Sequence, residues 1–160
     1  MVLQMLIRVM MLGLLVVMLG CSQPQAPPPA HLKLPKLPPR VGKCDENAPA
    51  TFTTTPSGLK YRMLRASNGA RPLSTQSVKV HYHGWLDNRQ VFDSSYARGP
   101  ISFRLNAVIP GWTEGLQLVG IGGMIELQIP SKLGYGEWGS PPDIPPQATL
   151  HFIVELLDVK

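Results

Sequence analysis

The alternation of apolar and polar residues divides the chain beyond residue 58 into extended segments and one helical one. Leu59-Lys60-Tyr61-Arg62-Met63-Leu64-Arg65 alternates and predicts a strand. Ser77 to Leu86 alternates more clearly, with Val78, Val80 and Tyr82 on one face and Lys79, His81 and His83 on the other. Ile101, Phe103 and Leu105 share one side of a further segment. In another, Ile125, Leu127 and Ile129 oppose Met124, Glu126 and Gln128. Thr149 to Lys160 reads as a long strand with Leu150, Phe152, Val154 and Leu156 inward. Behind Pro110-Gly111 the period changes. Trp112 to Val119 fits two helical turns, with Trp112, Leu116 and Val119 along one stripe, and Gly120, Gly122 and Gly123 end it. One short helix among about five antiparallel strands is an α+β layout.

The first fifty residues follow other rules. Residues 1–20 carry one charge, Arg8, and an apolar run from Val9 to Leu19. A transmembrane helix needs about 20 apolar residues, so the run is short for a span. Only Gln4 and Arg8 interrupt it back to Met1, which keeps an uncleaved anchor as the alternative. A short apolar stretch after a positive charge predicts a secretory signal. Gly20 before Cys21 resembles a bacterial lipoprotein cleavage site, with Cys21 as the lipidated first residue, although Met18 and Leu19 stand where Leu and Ala or Ser are usual. Ser22 to Ala50 then holds eight prolines. Proline fixes φ and removes a backbone donor, so this stretch predicts a semi-rigid spacer in polyproline II. The expected division is 1–20 signal peptide, 21–50 proline-rich tether and 51–160 folded domain.

Charge narrows the partners. The chain has 15 basic and 10 acidic residues, a net charge of +5. Within 51–160 there are ten basic against eight acidic residues, so no basic stripe forms and nucleic acid is not an expected partner. The two cysteines, Cys21 and Cys44, both precede residue 51 and do not read as a disulfide scaffold. No Cys/His cluster has zinc spacing. His81 and His83 share a strand face and could touch a metal, but such a pair is more often merely polar and half-exposed. No metal or cofactor is expected.

Four short pieces carry the chemistry. They are Val80-His81-Tyr82-His83-Gly84, Val91-Phe92-Asp93-Ser94-Ser95, Val108-Ile109-Pro110-Gly111-Trp112 and Ile144-Pro145-Pro146-Gln147-Ala148-Thr149-Leu150. Each mixes rings or branched aliphatics with glycine, proline or a lone polar group. Their order and spacing resemble the FKBP-type peptidyl-prolyl cis-trans isomerases, from about Ser57 to Lys160. Leu86 to Gly99 and Val108 to Leu116 are most similar to the bacterial Mip-like branch. The resemblance implies a twisted antiparallel sheet wrapped around one short helix, with a pocket between them. It implies Trp112 as the floor of that pocket. Tyr82, Phe92, Asp93, Trp112, Tyr135 and Phe152 are the implied catalytic set. Arg98, Ile101, Phe103, Val108, Ile109 and Ile144 are the implied substrate-binding set, with Arg98 pairing with Asp93. Leu116, Val154 and Leu156 are expected to serve the core alone. The chain departs from the best-known eukaryotic members at Ile101, Ala107, Ser140 and Asp143, positions that bear on substrate preference.

The implied activity is acceleration of X-Pro isomerisation in proline-containing clients, during folding of exported or envelope proteins. A macrolide inhibitor would take the same pocket. The rotation breaks no bond, so it needs no nucleophile, metal or redox group. The resemblance and the leader together imply an exported bacterial protein, periplasmic or in the outer envelope, tethered to a membrane through its N-terminal lipid. Mip-like proteins dimerise through helices before the isomerase domain. A proline-rich tether stands there instead, so a monomer is expected. The alternative is a non-catalytic module of the same fold, a binding module or chaperone adaptor. A structural envelope lipoprotein would leave the pocket residues unexplained.

Overall fold

The computed structural model describes residues 41–160; the apolar leader, Cys21 and the tether up to Arg40 lie outside the described residues. In chain order the elements are β1 (Thr53–Thr54), β2 (Lys60–Arg65), β3 (Ser77–Leu86), β4 (Val91–Ser94), β5 (Ile101–Arg104), α1 (Pro110–Leu116), β6 (Met124–Ile129) and β7 (Leu150–Val159). The α+β layout is as expected. The sheet has seven strands rather than about five. The additions, β1 and β4, are two and four residues long, too short to show a period.

All pairings are antiparallel, in the order β1-β2-β6-β7-β3-β4. β3 is shared by three strands. One edge pairs with β7 from Val78 to Leu86. The other is split, with Ser77–Val80 on β5 and His83–Trp85 on β4.

α1 lies against β6. A Cβ at Gly111 would stand 2.4 Å from Ile129, and one at Gly115 would stand 2.8 Å from Leu127, so both glycines are needed for the close approach. Pro110 at the first turn suits a helix start, where its missing N–H would go unpaired anyway. The helix ends at Leu116, earlier than the periodicity of Trp112–Val119 predicts. There the chain tightens into i→i+3 turns, Leu118 N to Gly115 O at 3.1 Å and Val119 N to Leu116 O at 3.4 Å. Val119 stays buried all the same.

The predicted inward faces meet in one core. Val78, Val80 and Tyr82 of β3, Ile125, Leu127 and Ile129 of β6, and Leu150, Phe152, Val154 and Leu156 of β7 pack with Trp112 and Leu116 of α1. The opposite face is not left to water. Leu64, Trp85, Met124 and Ile153 form a second cluster, with Val41 and Cys44 packed on it. Residues 41–50 run along this face. Gly42 N donates to Glu155 Oε1 (3.2 Å), Arg65 Nη1 to Lys43 O (3.1 Å), Asp45 N to Leu64 O (2.8 Å) and Arg62 Nη1 to Ala50 O (3.1 Å). Below them Arg62 and Glu126 form a buried ion pair at 2.6 Å, with the Arg62 guanidinium 4.8 Å from the centre of the Phe52 ring. Burial pushes the Glu126 carboxyl above its ordinary range and the Arg62 charge opposes this. Buried charges need such pairing. Among the described residues no helix is long and apolar enough to cross a membrane.

Leu156 is fully buried and does not line the cavity described below. Leu156→Ala is expected to cost about 2–5 kcal/mol of stability by urea denaturation, with activity per folded molecule unchanged. A loss well below that range would show that the β7 end of the core is loosely packed.

Candidate functional site

A cavity of about 860 Å3 opens between α1 and the sheet. Its centre is the Trp112 indole, which α1 turns inward. Trp112 meets Tyr82 edge-on at 5.3 Å between ring centres, Phe152 edge-on at 5.0 Å, and Phe103 at 5.3 Å with a 48° tilt. Such offset contacts are the favourable arrangement for aromatic quadrupoles. Trp112 Nε1 is buried with no hydrogen-bond partner among the described residues. Gly84 follows Tyr82 on the inward face of β3. A Cβ there would lie 2.7 Å from Phe152 and 2.8 Å from Phe92. Glycine therefore lets those two rings meet edge to face at 5.4 Å.

One wall is polar. Tyr82 Oη donates to Asp93 Oδ2, and Arg98 pairs with Asp93 Oδ1. Arg98 Nη2 lies 3.4 Å from Tyr82 Oη, and Ser94 N donates to Asp93 Oδ1 at 2.8 Å. Burial and then the Asp93 hydrogen bond push the Tyr82 phenol up to about 12, so it remains a protonated donor at neutral pH. Arg98 offsets the carboxylate charge, and both groups keep an exposed side to water. The rim comes from the loop between β6 and β7, where Ser140 and Ile144 exchange backbone hydrogen bonds of 2.8 and 3.0 Å. Tyr135, Pro141 and Asp143 stand along it. Val108 and Ile109 reach the cavity from the segment entering α1.

The structure brings together around this cavity every member of the implied catalytic and substrate-binding sets. They are Tyr82, Phe92, Asp93, Trp112, Tyr135 and Phe152 with Arg98, Ile101, Phe103, Val108, Ile109 and Ile144. Ala107, Ser140 and Asp143, the positions of departure, line it too. Pro141 is an addition that sequence reasoning missed, since nothing in a loop proline marks which way it faces. His81 and His83 lie on the other face of β3. His81 Nδ1 is 2.9 Å from Ser95 Oγ and its ring stacks on Tyr96, while His83 packs against Trp85. Burial holds the His83 imidazole below its ordinary range. Among the described residues no group of three or more His, Cys, Asp or Glu side chains is placed to hold a metal ion.

The arrangement is an aromatic-walled chamber with one polar wall, the Asp93 carboxylate paired with Arg98 and the Tyr82 phenol, and a rim that adds the Tyr135 phenol and the Asp143 carboxylate. It offers no nucleophile activated by a base. It can enclose a small apolar ring and present hydrogen-bonding groups to the polar atoms beside it.

Comparison with known proteins agrees with this geometry. The family model for FKBP-type peptidyl-prolyl cis-trans isomerases matches residues 69–157. A probable FKBP-type peptidyl-prolyl cis-trans isomerase of Haemophilus influenzae is 56% identical over 107 residues, covering 66% of this chain and 44% of the relative. The FKBP-type 22 kDa peptidyl-prolyl cis-trans isomerase of Escherichia coli is 49% identical over 117 residues, covering 72% and 57%. The crystal structure of FkpA from Escherichia coli superposes with a TM-score of 0.66 at 50% identity, covering 68% of this chain and 51% of that one. The chain thus spans about half the length of these relatives or less. With more than half of its own residues inside the family model, and with the pocket formed by those residues, the chain belongs to the FKBP-type peptidyl-prolyl cis-trans isomerase family.

Proposed function

We propose that this protein accelerates cis-trans isomerisation of X-Pro bonds in polypeptide clients. The observation that carries the reading is the complete aromatic chamber around Trp112, joined to the Tyr82–Asp93–Arg98 wall. Rotation about the peptide bond faces a barrier of about 18–20 kcal/mol because amide resonance is lost on the way. A planar amide is strongly dipolar and well solvated by water. A dry chamber withdraws that solvation and favours the less dipolar twisted form, which is differential binding of the transition state. Trp112 receives the prolyl ring. Phe92, Phe103, Val108, Ile109 and Phe152 exclude water around it. Asp93 orients the Tyr82 hydroxyl and faces the twisting amide, with Arg98 holding the carboxylate. Tyr135 offers its hydroxyl to a client carbonyl at the rim, where Ile101 and Ile144 also stand. No cofactor enters this scheme, and a macrolide inhibitor would compete for the same chamber.

The finer assignments extend this reading. Leu86 to Gly99 and Val108 to Leu116 support placement in the Mip-like branch. The leader supports export, with residues 1–20 removed and Cys21 lipidated, so that the isomerase domain of 51–160 works tethered in the bacterial envelope on exported clients. Residues 41–50 form the docked end of the 21–50 tether. The stretch between Cys21 and that docked end is residues 22–40. In polyproline II form, at about 3.1 Å per residue, it would reach roughly 60 Å. A binding module without catalysis is the second reading. The presence of Tyr82, Phe92, Asp93, Trp112, Tyr135 and Phe152 in one chamber supports catalysis instead.

A protease-coupled assay on short peptides with Leu or Phe before proline tests the activity. The full-length chain is expected to accelerate isomerisation above the buffer rate, and a folded sample without acceleration would leave only the binding module. Asp93→Ala and Phe92→Ala are expected to lower kcat/KM by about tenfold to a hundredfold, since misplacement of groups at the reacting bond is costly, while melting temperatures move little. Unchanged activity in Asp93→Ala would remove the carboxylate from the scheme.

The anchor is tested by feeding cells a fatty-acid probe. Wild-type protein is expected to take up the label and fractionate with membranes, and Cys21→Ser to lose both properties. Label retained by Cys21→Ser, or a mature N-terminus elsewhere, would refute lipidation at Cys21.

Assembly is tested by light scattering on the soluble chain from residue 22. One-chain mass is expected at all concentrations. A concentration-independent dimer would reveal an interface on the tether or the domain.

A further inference from the structure

The split edge of β3 leaves a gap. β5 pairs with Ser77–Val80 and β4 with His83–Trp85, so His81 and Tyr82 face neither strand. Ser95, the residue after β4, fills the gap. Its N–H donates to the Tyr82 carbonyl at 3.0 Å, and its Oγ accepts the Tyr82 N–H at 2.8 Å. A buried N–H must find an acceptor, and here a side chain replaces the missing strand. The Ser95 carbonyl in turn accepts the N–H groups of Arg98 at 3.0 Å and Gly99 at 2.8 Å. That closes the turn that returns Arg98 to Asp93. One serine, 0% exposed and two residues after Asp93, therefore ties the backbone of Tyr82 to that of Arg98.

Its hydroxyl direction is also constrained. Beside the Tyr82 N–H, Oγ stands 2.9 Å from His81 Nδ1 and 3.4 Å from the Tyr82 carbonyl, so in the tautomer with Nδ1 unprotonated the hydroxyl hydrogen has its nearer acceptor in His81. The His81 ring is held by stacking on Tyr96, 4.8 Å between centres and 11° between planes. The Tyr96 hydroxyl donates to Glu155 at 2.6 Å, and Glu155 pairs with Arg65 at 2.8 Å. Neither Ser95 nor His81 lines the cavity. Filling space would not require a hydroxyl at position 95.

We propose that Ser95 is a positioning residue for the pocket, setting Tyr82, Asp93 and Arg98 against a bound prolyl amide, and that His81 sets the direction of its hydroxyl. Its kinetic consequence rests on the isomerase reading, so the test pairs activity with a readout that needs no catalysis. In the full-length chain, kcat/KM on a Leu-Pro peptide is measured for Ser95→Ala, Ser95→Thr and His81→Phe. The carboxyl resonance of Asp93 is followed by carbon-13 nuclear magnetic resonance in each. Ser95→Ala is expected to lower kcat/KM about tenfold, mainly in kcat, and to shift the Asp93 signal, since orientation of the reacting groups is what it disturbs. Ser95→Thr keeps the hydroxyl and is expected to return activity to within about threefold of wild type. His81→Phe keeps the stack on Tyr96 but loses Nδ1, and is expected to lose about threefold. If Ser95→Ala does not fold, the Asp93 signal in His81→Phe decides alone. An unmoved Asp93 signal in Ser95→Ala, or in His81→Phe where Ser95→Ala does not fold, overturns the proposal, as does kcat/KM within about twofold of wild type in Ser95→Ala. An inactive wild-type protein would overturn the isomerase reading instead, and the Asp93 signal would still decide the role of Ser95.

Discussion

Everything near the cavity depends on β3 being paired along both edges. β7 holds one edge from Val78 to Leu86, and β5, Ser95 and β4 hold the other in succession. A strand fixed on both sides cannot slip, and a slip of one residue would send Tyr82 to the outer face and His81 or His83 inward. The rings of Phe92 and Phe152 can meet across the sheet only because Gly84 lies between them on this strand. α1 then brings Trp112 onto the same face, close enough because Gly111 and Gly115 carry no side chain.

The chemistry suits a pocket of this kind. Under the proposed isomerase reading, rotation about an amide makes and breaks no bond, so a chamber for it needs shape, exclusion of water and a few well-aimed polar groups. The aromatic rings around Trp112 supply the shape and an apolar floor. Tyr82, Asp93 and Arg98 supply the third as a near-neutral set, so the Asp93 carboxylate beside the rings is compensated. The phenol, raised by burial and by its carboxylate partner, stays a donor through the physiological range.

The outer face shows how a polar pattern can still be buried. Arg62, Glu126 and Glu155 sit beneath residues 41–52, and each finds a partner there or beside it. For Glu155, burial raises the carboxyl, but the Tyr96 hydroxyl, Arg65 and the Gly42 N–H outweigh it and hold it below the ordinary range. The chain thus enters the domain on the face of the sheet opposite the α1 side, where the cavity lies.

Local pattern alone determined much of this protein. Alternation placed Val78, Val80 and Tyr82 together, and likewise Ile125, Leu127 and Ile129, because a strand that buries one face must repeat every two residues. Order and spacing of short motifs marked Phe92, Asp93 and Trp112 as members of one site. Other features depend on contacts between distant parts of the chain, and no local period records them. Trp85 and Met124 are buried because residues 41–44 cross above them. β4 was invisible as a strand because four residues carry no usable period. Ser95 reads as an ordinary loop serine until the gap between β5 and β4 gives its hydroxyl a backbone to serve. Tertiary structure alone decided these cases, since a hydrogen bond or a cover across a sheet is a relation between segments and not a property of either one.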